Sequence, residues 1–111
     1  MESSLYHLIV YVPLSHAADV RRALADAGAG KIGNYDSCSF SMRGTGRFRP
    51  NEKAQPHIGA AGVLEAVEEE RIEVVVKKEN LREVFRRVKE AHPYEEPAIH
   101  VLPMVDEHEL L

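Results

Sequence analysis

The sequence has one cysteine, no tryptophan and no long hydrophobic run among its 111 residues. A single cysteine excludes an intrachain disulfide and a cysteine-rich metal module, and it fits a reducing compartment. No apolar stretch approaches the roughly 18 residues that a membrane span requires. The N-terminus has an acidic residue and no basic segment, unlike a secretory signal. We therefore expect a cytoplasmic protein, folded as a single domain over 1–111, without membrane contacts.

The charge balance is mildly acidic, with a formal net charge of −4. Nucleic-acid phosphates require a basic surface, so we expect no nucleic-acid partner. The charges are nevertheless segregated along the chain. Residues 43–53 carry four basic side chains and one acidic one, whereas residues 95–111 carry five acidic side chains and no lysine or arginine.

Hydrophobic periodicity predicts the first half of the fold. Residues 5–12 are apolar on both alternating faces, which is typical of a central strand that ends at Pro13. Ser15 is placed to cap a helix that runs to about residue 27. Residues 35–42 alternate like a half-buried strand. The glycine- and proline-containing stretch 43–62 then predicts a long functional loop.

The second half of the sequence again predicts a strand, a helix and a strand. Residues 71–77 alternate as a strand, and residues 64–69 belong to it or form a short strand of their own. The glutamate run 68–70 predicts a solvated turn. A capping box at Asn80 predicts a helix that stops at His92, before a proline. Residues 98–105 predict a last strand at a sheet edge.

The resulting β-α-β-β-α-β order predicts an α+β, ferredoxin-like domain with a long loop between strands 2 and 3. Two helices cover only one face of a four-stranded sheet. The first strand is apolar on both faces, so the uncovered face requires another layer. We expect a homo-oligomer that packs through this face, with Val10 and Val75 as candidate interface residues.

Several segments in order along the chain resemble the insert domain of the Nif-three-like (YqfO-like) dinuclear metal centre proteins. The fold order and the HPYEEP segment also resemble the CutA-type and PII-like trimeric proteins. The segments that carry the first resemblance are GKIGNYDSCSF at 30–40, GTGRFRP at 44–50, AQPHIG at 54–59, EERIEVVV at 69–76 and HPYEEPA at 92–98.

The resemblance implies a trimer and a binding or regulatory role, and we expect an anionic small molecule to bind at clefts between subunits. The larger Nif-three-like proteins hold their metals in two flanking domains that this sequence does not contain. We therefore expect this chain to have neither the dinuclear site nor the hydrolase activity of the larger proteins. We expect the segment to occur here without the two flanking domains. No nucleophile, base and orienting group can be read from the sequence, so we expect no catalysis.

The basic glycine loop is the first candidate binding site. Glycines let backbone N–H groups approach an anion, and arginine donates in pairs to phosphate or carboxylate. The same residues also fit a hairpin with a solvated basic tip. The rigid corner at 92–97 either contributes to a cleft or simply ends the helix. The candidate ligand-binding residues are Tyr35, Arg43, Gly44, Gly46, Arg47, Arg49, Tyr94 and Glu95.

A second reading is divalent metal binding, because imidazole and thiolate are ligands for transition metals. The CutA-type resemblance suggests copper or another divalent ion. Cys38 equally fits a small buried hydrophobic residue on its strand. We expect Tyr35, Cys38 and His57 to lie beside the basic loop. The candidate metal ligands are Cys38, His57, His7 and His100.

Overall fold

The computed structural model describes residues 3–111, which form two helices packed on one face of a four-stranded antiparallel sheet. The strand order is β2-β3-β1-β4, which confirms the predicted ferredoxin-like arrangement. No helix in this part of the chain is long and apolar enough to span a membrane. The elements are β1 (Leu5–Pro13), α1 (Leu14–Asp26), β2 (Phe40–Phe48), β3 (Glu65–Lys77), α2 (Leu81–Ala91) and β4 (Ile99–Met104), with short 3-10 turns at Lys78–Asn80 and Glu107–Leu110.

The core lies between the helices and one face of the sheet. Every second side chain of β1 points towards the core and lies beside a side chain of β3 that faces the same way. Val10, for example, pairs with Ile72. Val10 is 0% exposed, so its predicted place on the uncovered face is wrong. Val75 pairs with His7 and lies on that face. The buried core residues include Leu8, Val10, Val12, Val20, Leu24, Ile72, Val74, Val76, Val84 and Val88.

The opposite face of the sheet, which we call the open face, carries exposed apolar side chains. Phe40 and Leu102 are 62% and 52% exposed. In register, Phe40 lies opposite Glu73, and Leu102 lies opposite His7. The open face therefore combines exposed apolar side chains on its outer strands with polar residues along its centre, whereas a sheet face left to solvent is ordinarily polar.

The second strand lies further along the chain than the alternation predicts. β2 covers 40–48 instead of 35–42, and residues 35–39 belong to the preceding loop. β3 is one long strand over 65–77. The backbone of its first half, which we call the outer half, needs a hydrogen-bonding partner along its whole length. Residues 43–48 supply that partner despite the low strand propensity of their glycines. The loop predicted over 43–62 is therefore shorter, and the structure has it over 49–64.

Three local predictions are corrected. Ser15 does not cap α1: its hydroxyl hydrogen-bonds to Nδ1 of His16 at 2.8 Å, and Pro13 is the N-cap. Asn80 makes no side-chain cap either, because it belongs to the 3-10 turn before α2. The run 68–70 is no turn but the middle of β3, where two of its glutamates are buried. The predicted helix stop at His92 and the edge position of the last strand are confirmed.

Gly30 fixes the loop that enters β2. Its φ is +80°, and its N–H donates to the carbonyl of Val75 at 2.8 Å. Its own carbonyl accepts from the N–H of Cys38 at 2.9 Å. A Cβ at this position would overlap the backbone of Cys38. Glycine therefore lets the loop approach the sheet closely, which sets the start of β2 at Phe40.

Candidate functional site

A cleft of about 670 Å³ lies where the outer halves of β2 and β3 are roofed by two segments. One segment is the loop 49–64, which we call the roof loop. The other is the rigid corner 93–97. All predicted ligand residues except Tyr35 line this cleft, and so does His57. Tyr35 and Cys38 do not line it, because β2 begins after them and leaves both in the preceding loop.

Two glycines of β2 shape the floor of the cleft. Gly44 lies opposite Glu69 in the strand register. A Cβ added at Gly44 would meet nothing within 4 Å, whereas a Cβ at Gly46 would overlap the Glu69 carboxylate. Gly46 therefore leaves room for that carboxylate, and Gly44 leaves part of the floor bare.

Tyr94 connects the floor to the walls. Its hydroxyl donates to Oε2 of Glu69 at 2.9 Å, and Glu69 is only 8% exposed. Its ring centroid lies 5.8 Å from that of Phe48 and 6.5 Å from that of His57. Burial, together with the bond to Glu69 and the charge of Glu69, raises the pKa of the Tyr94 phenol well above its ordinary value. The phenol consequently stays a hydrogen-bond donor at neutral pH.

His92 holds the start of the corner. The ring is 6% exposed. Its Nε2 lies 2.6 Å from the carbonyl oxygen of Tyr11, and its Nδ1 accepts from the backbone N–H of Tyr94 at 3.1 Å. Burial lowers the pKa of His92, and His16 and His57 act in the same direction. The Tyr11 carbonyl and Glu69 oppose this shift without cancelling it.

The roof loop is fastened at its base and at two points along its length. The N–H of Gln55 donates to the Glu95 carboxylate, with the nearer oxygen at 3.1 Å. The N–H of Gly62 donates to the carbonyl of Pro50 at 2.8 Å and closes the base of the loop. The ring of His57 meets that of His16 on α1 edge to face, with centroids 5.6 Å apart. The roof loop thus depends on side chains from the corner and from α1.

Arginines supply the positive charge of the cleft. Arg43, Arg47 and Arg49 line it and are exposed. On the floor, Nη1 of Arg71 donates to the Tyr11 hydroxyl at 3.0 Å, and the guanidinium lies 5.6 Å from the Tyr11 ring centroid. Nε of Arg71 is buried and has no hydrogen-bond partner within residues 3–111. The cleft therefore combines aromatic walls with donors for an anion.

The four candidate metal ligands fall in three places, because only His7 and His100 share a surface, the open face of β1 and β4. His7 is 2.9 Å from the Glu73 carboxylate on the open face, and the ring of His100 stacks edge to face on Tyr11. His57 belongs to the roof loop. Cys38 lies in the loop before β2, with Sγ 3.8 Å from the carbonyl of Asp36. Across the described chain, 3–111, no three His, Cys, Asp or Glu side chains come together as metal ligands would.

Known proteins similar to this chain include one relative by sequence and one by structure that match nearly all of it. A GTP cyclohydrolase 1 type 2 homolog of Halalkalibacterium halodurans is 48% identical over 108 residues, covering 97% of this chain and 29% of that protein. The crystal structure of a Bacillus cereus protein related to NIF3 superposes with a TM-score of 0.82 at 44% identity, covering 96% of this chain and 27% of that one. The chain is similar to one segment of the Nif-three-like proteins. It spans less than a third of the length of these relatives.

The Nif-three-like segment shares its fold with a wider group. The PII-like protein CutA of Nostoc sp. superposes with a TM-score of 0.66, covering 96% of this chain and 86% of that one. Its 17% identity makes this a likeness of fold only. The search against protein-family models found no match.

Sequence reasoning missed three residues that build the cleft of this Nif-three-like segment. Glu69 is hidden in a run of three glutamates, although the alternation of Ile72, Val74 and Val76 places it on the face opposite the core. Extending that alternation backwards would have found Glu69 and Arg71 together. His92 carries no such signal, because its neighbours predict only the end of a helix.

The two floor glycines provide a matched test. Gly46→Ala should lower the free energy of unfolding by about 1–3 kcal/mol, because it displaces a buried carboxylate from its hydrogen-bond donor. Gly44→Ala should stay within about 0.5 kcal/mol of the parent protein, because the added methyl enters open space. Chemical denaturation followed by circular dichroism measures both.

A double-mutant cycle with Tyr94→Phe identifies the cause. If Gly46→Ala acts by separating Glu69 from Tyr94, then the Gly46→Ala/Tyr94→Phe double variant should be little less stable than either single variant. Fully additive losses would show that the glycine and the tyrosine act independently.

Proposed function

We propose that this chain is a binding or regulatory module that holds a small anionic molecule in the cleft under the roof loop. The relatives, which are Nif-three-like in sequence and CutA-like in fold, are compatible with a binding role. The observation that carries the proposal is that three arginines on or next to β2 line a cleft whose floor is left bare at Gly44.

Four arginines and three glutamates, with Glu96 exposed among them, line the cleft, so its charges favour an anion over a cation. The carboxylates of Glu69 and Glu95 already accept hydrogen bonds from Tyr94 and from the N–H of Gln55. Within residues 3–111, Arg47 and Arg49 make no salt bridge and hydrogen-bond to no carboxylate. Their guanidinium groups are therefore available to a phosphate or carboxylate ligand, which they would bind in bidentate fashion.

The aromatic walls add a second requirement. Phe48 and Tyr94 present tilted rings beside the floor at Gly44, where no side chain intervenes. A planar or apolar part of the ligand would pack against these rings and displace water from them. Nucleotides and small ring-bearing carboxylic acids combine such a part with an anionic group, so they are the first classes to test.

The proposal predicts which variants lose the ligand. Titration calorimetry with ATP, AMP and benzoate as probes should detect binding to the parent protein. Arg47→Ala/Arg49→Ala should weaken that binding by at least about 100-fold, because two charge-assisted hydrogen-bonding groups are lost. Gly44→Val should also abolish binding, because it fills the floor. Arg22→Ala on α1, an arginine paired only with Asp19 at 3.5 Å, is the matched control.

Either of two results would contradict this proposal. One is that none of the probes binds the parent protein. The other is that a probe binds equally well to the parent, the double arginine variant and Gly44→Val.

We also propose that copies of this chain associate through the open face, with a trimer favoured by the CutA-type and PII-like resemblance. The support is the exposed apolar surface around Phe40, Met42 and Leu102, which water would otherwise cover. In such an assembly the mouth of the cleft would lie near a second copy, because cleft and open face share strands β2 and β3.

Native mass spectrometry of protein purified without chelator tests the association. The parent protein should appear as an oligomer, and Leu102→Glu should shift it to monomer because the charge would be buried at the interface. Leu110→Glu, at a 76% exposed leucine in the C-terminal turn, should leave the assembly intact. A monomeric parent protein, or an intact Leu102→Glu oligomer, would refute packing through this face.

The same spectra address the metal alternative. Divalent metal binding of the CutA type is supported only by the likeness of fold. Stoichiometric copper or zinc retained on the oligomer would favour it over the anion site. The GTP cyclohydrolase name belongs to relatives more than three times as long, and we propose no catalytic step for this chain. A cytoplasmic location stays a prediction.

A further inference from the structure

The partners of His92 determine where its proton lies. The carbonyl oxygen of Tyr11 can only accept a hydrogen bond, so Nε2 at 2.6 Å must carry the ring proton. The backbone N–H of Tyr94 can only donate, so Nδ1 at 3.1 Å must be bare. Both ring nitrogens are therefore satisfied only while His92 is neutral, in the Nε2–H tautomer.

Protonation of His92 cannot preserve this arrangement. A proton on Nδ1 would point at the N–H of Tyr94, and two donors facing each other repel. The ring is 6% exposed, so little water is available to accept the new hydrogen bond. The link between His92 and the Tyr94 peptide must then open.

The charged and titratable groups around His92 come from every element packed against it. Glu69 on β3 favours the protonated ring, but its carboxylate is engaged by the Tyr94 hydroxyl. His16 on α1 and His57 in the roof loop oppose it. Burial adds to their effect and lowers the pKa of His92. The closed corner thus binds a proton more weakly than an open one, and acid shifts the balance towards opening.

The Tyr94 peptide is the point on which the roof depends. Tyr94 contacts Phe48 and His57 through its ring and Glu69 through its hydroxyl. The next residue, Glu95, accepts the N–H of Gln55 from the roof loop. Moving this peptide would loosen these contacts together.

We infer that His92 is an acid-sensitive latch: protonation of its Nδ1 breaks the bond to the Tyr94 N–H and releases the corner 93–97 together with the roof loop. The roof of the cleft is fastened at neutral pH and loosens on acidification. This behaviour belongs to the chain without any ligand, so it stands or falls separately from the proposed anion site.

Nitrogen-15 NMR of the ligand-free protein tests the latch. The imidazole spectrum at neutral pH should show His92 as the Nε2–H tautomer. In a titration from about pH 8 to about pH 5, the amide signals of Tyr94 and Gln55 should move with the His92 midpoint, which should lie below that of an ordinary histidine.

Two variants isolate the residue responsible. Asparagine can accept the Tyr94 N–H through its side-chain oxygen but does not titrate, so His92→Asn should keep the Tyr94 and Gln55 amides still across this range. His108→Asn, which removes an exposed histidine in the C-terminal turn outside the cleft, should retain the response of the parent protein.

Three results would overturn the inference. They are an Nδ1–H tautomer at neutral pH, Tyr94 and Gln55 amides that stay still while His92 titrates, and an unchanged amide response in His92→Asn. The first two need only the parent protein, so they decide the matter even if His92→Asn does not fold.

Discussion

The hydrogen bond from the Tyr94 hydroxyl to the Glu69 carboxylate is the interaction on which the cleft depends. It buries a carboxylate that would be costly to leave without a donor. It also needs the space that Gly46 leaves on the neighbouring strand. Through Tyr94 the corner reaches the sheet, and through Glu95 the same corner holds the roof loop at Gln55. The register of β2 and β3, the space at Gly46 and the corner that follows α2 therefore all contribute to this one contact.

This arrangement explains how a small ferredoxin-like domain gains a cleft without an additional element. The outer half of β3 extends the sheet, and the roof loop folds back over it. The carboxylates of Glu69 and Glu95 are occupied by donors of the chain itself, and in the proposed function the guanidinium groups of Arg47 and Arg49 bind an outside anion. The open face beside the cleft carries exposed apolar side chains, so ligand binding and association of copies would use neighbouring surfaces.

The sequence was sufficient for most of the fold and for part of the site. Periodicity placed the central strand, both helices and the last strand, because burial on a regular element leaves a regular pattern. It failed for β2, since the glycines at 44 and 46 weaken a strand locally and only the long partner strand β3 imposes pairing on them. Composition alone directed attention to the arginines. The role of Glu69 needed the strand register, and the role of His92 needed two backbone partners, Tyr11 and Tyr94, that no spacing reveals.

Hydrogen exchange of the roof loop measures most directly whether the Tyr94–Glu69 bond holds the cleft together. Exchange of amides in the parent protein and in Tyr94→Phe should be compared by mass spectrometry at neutral pH. The account predicts faster exchange across 49–64, including the Gln55 amide, with β1 and the inner half of β3 unchanged. Equal exchange of the roof loop in both proteins would contradict it, because the roof would then be held by other contacts.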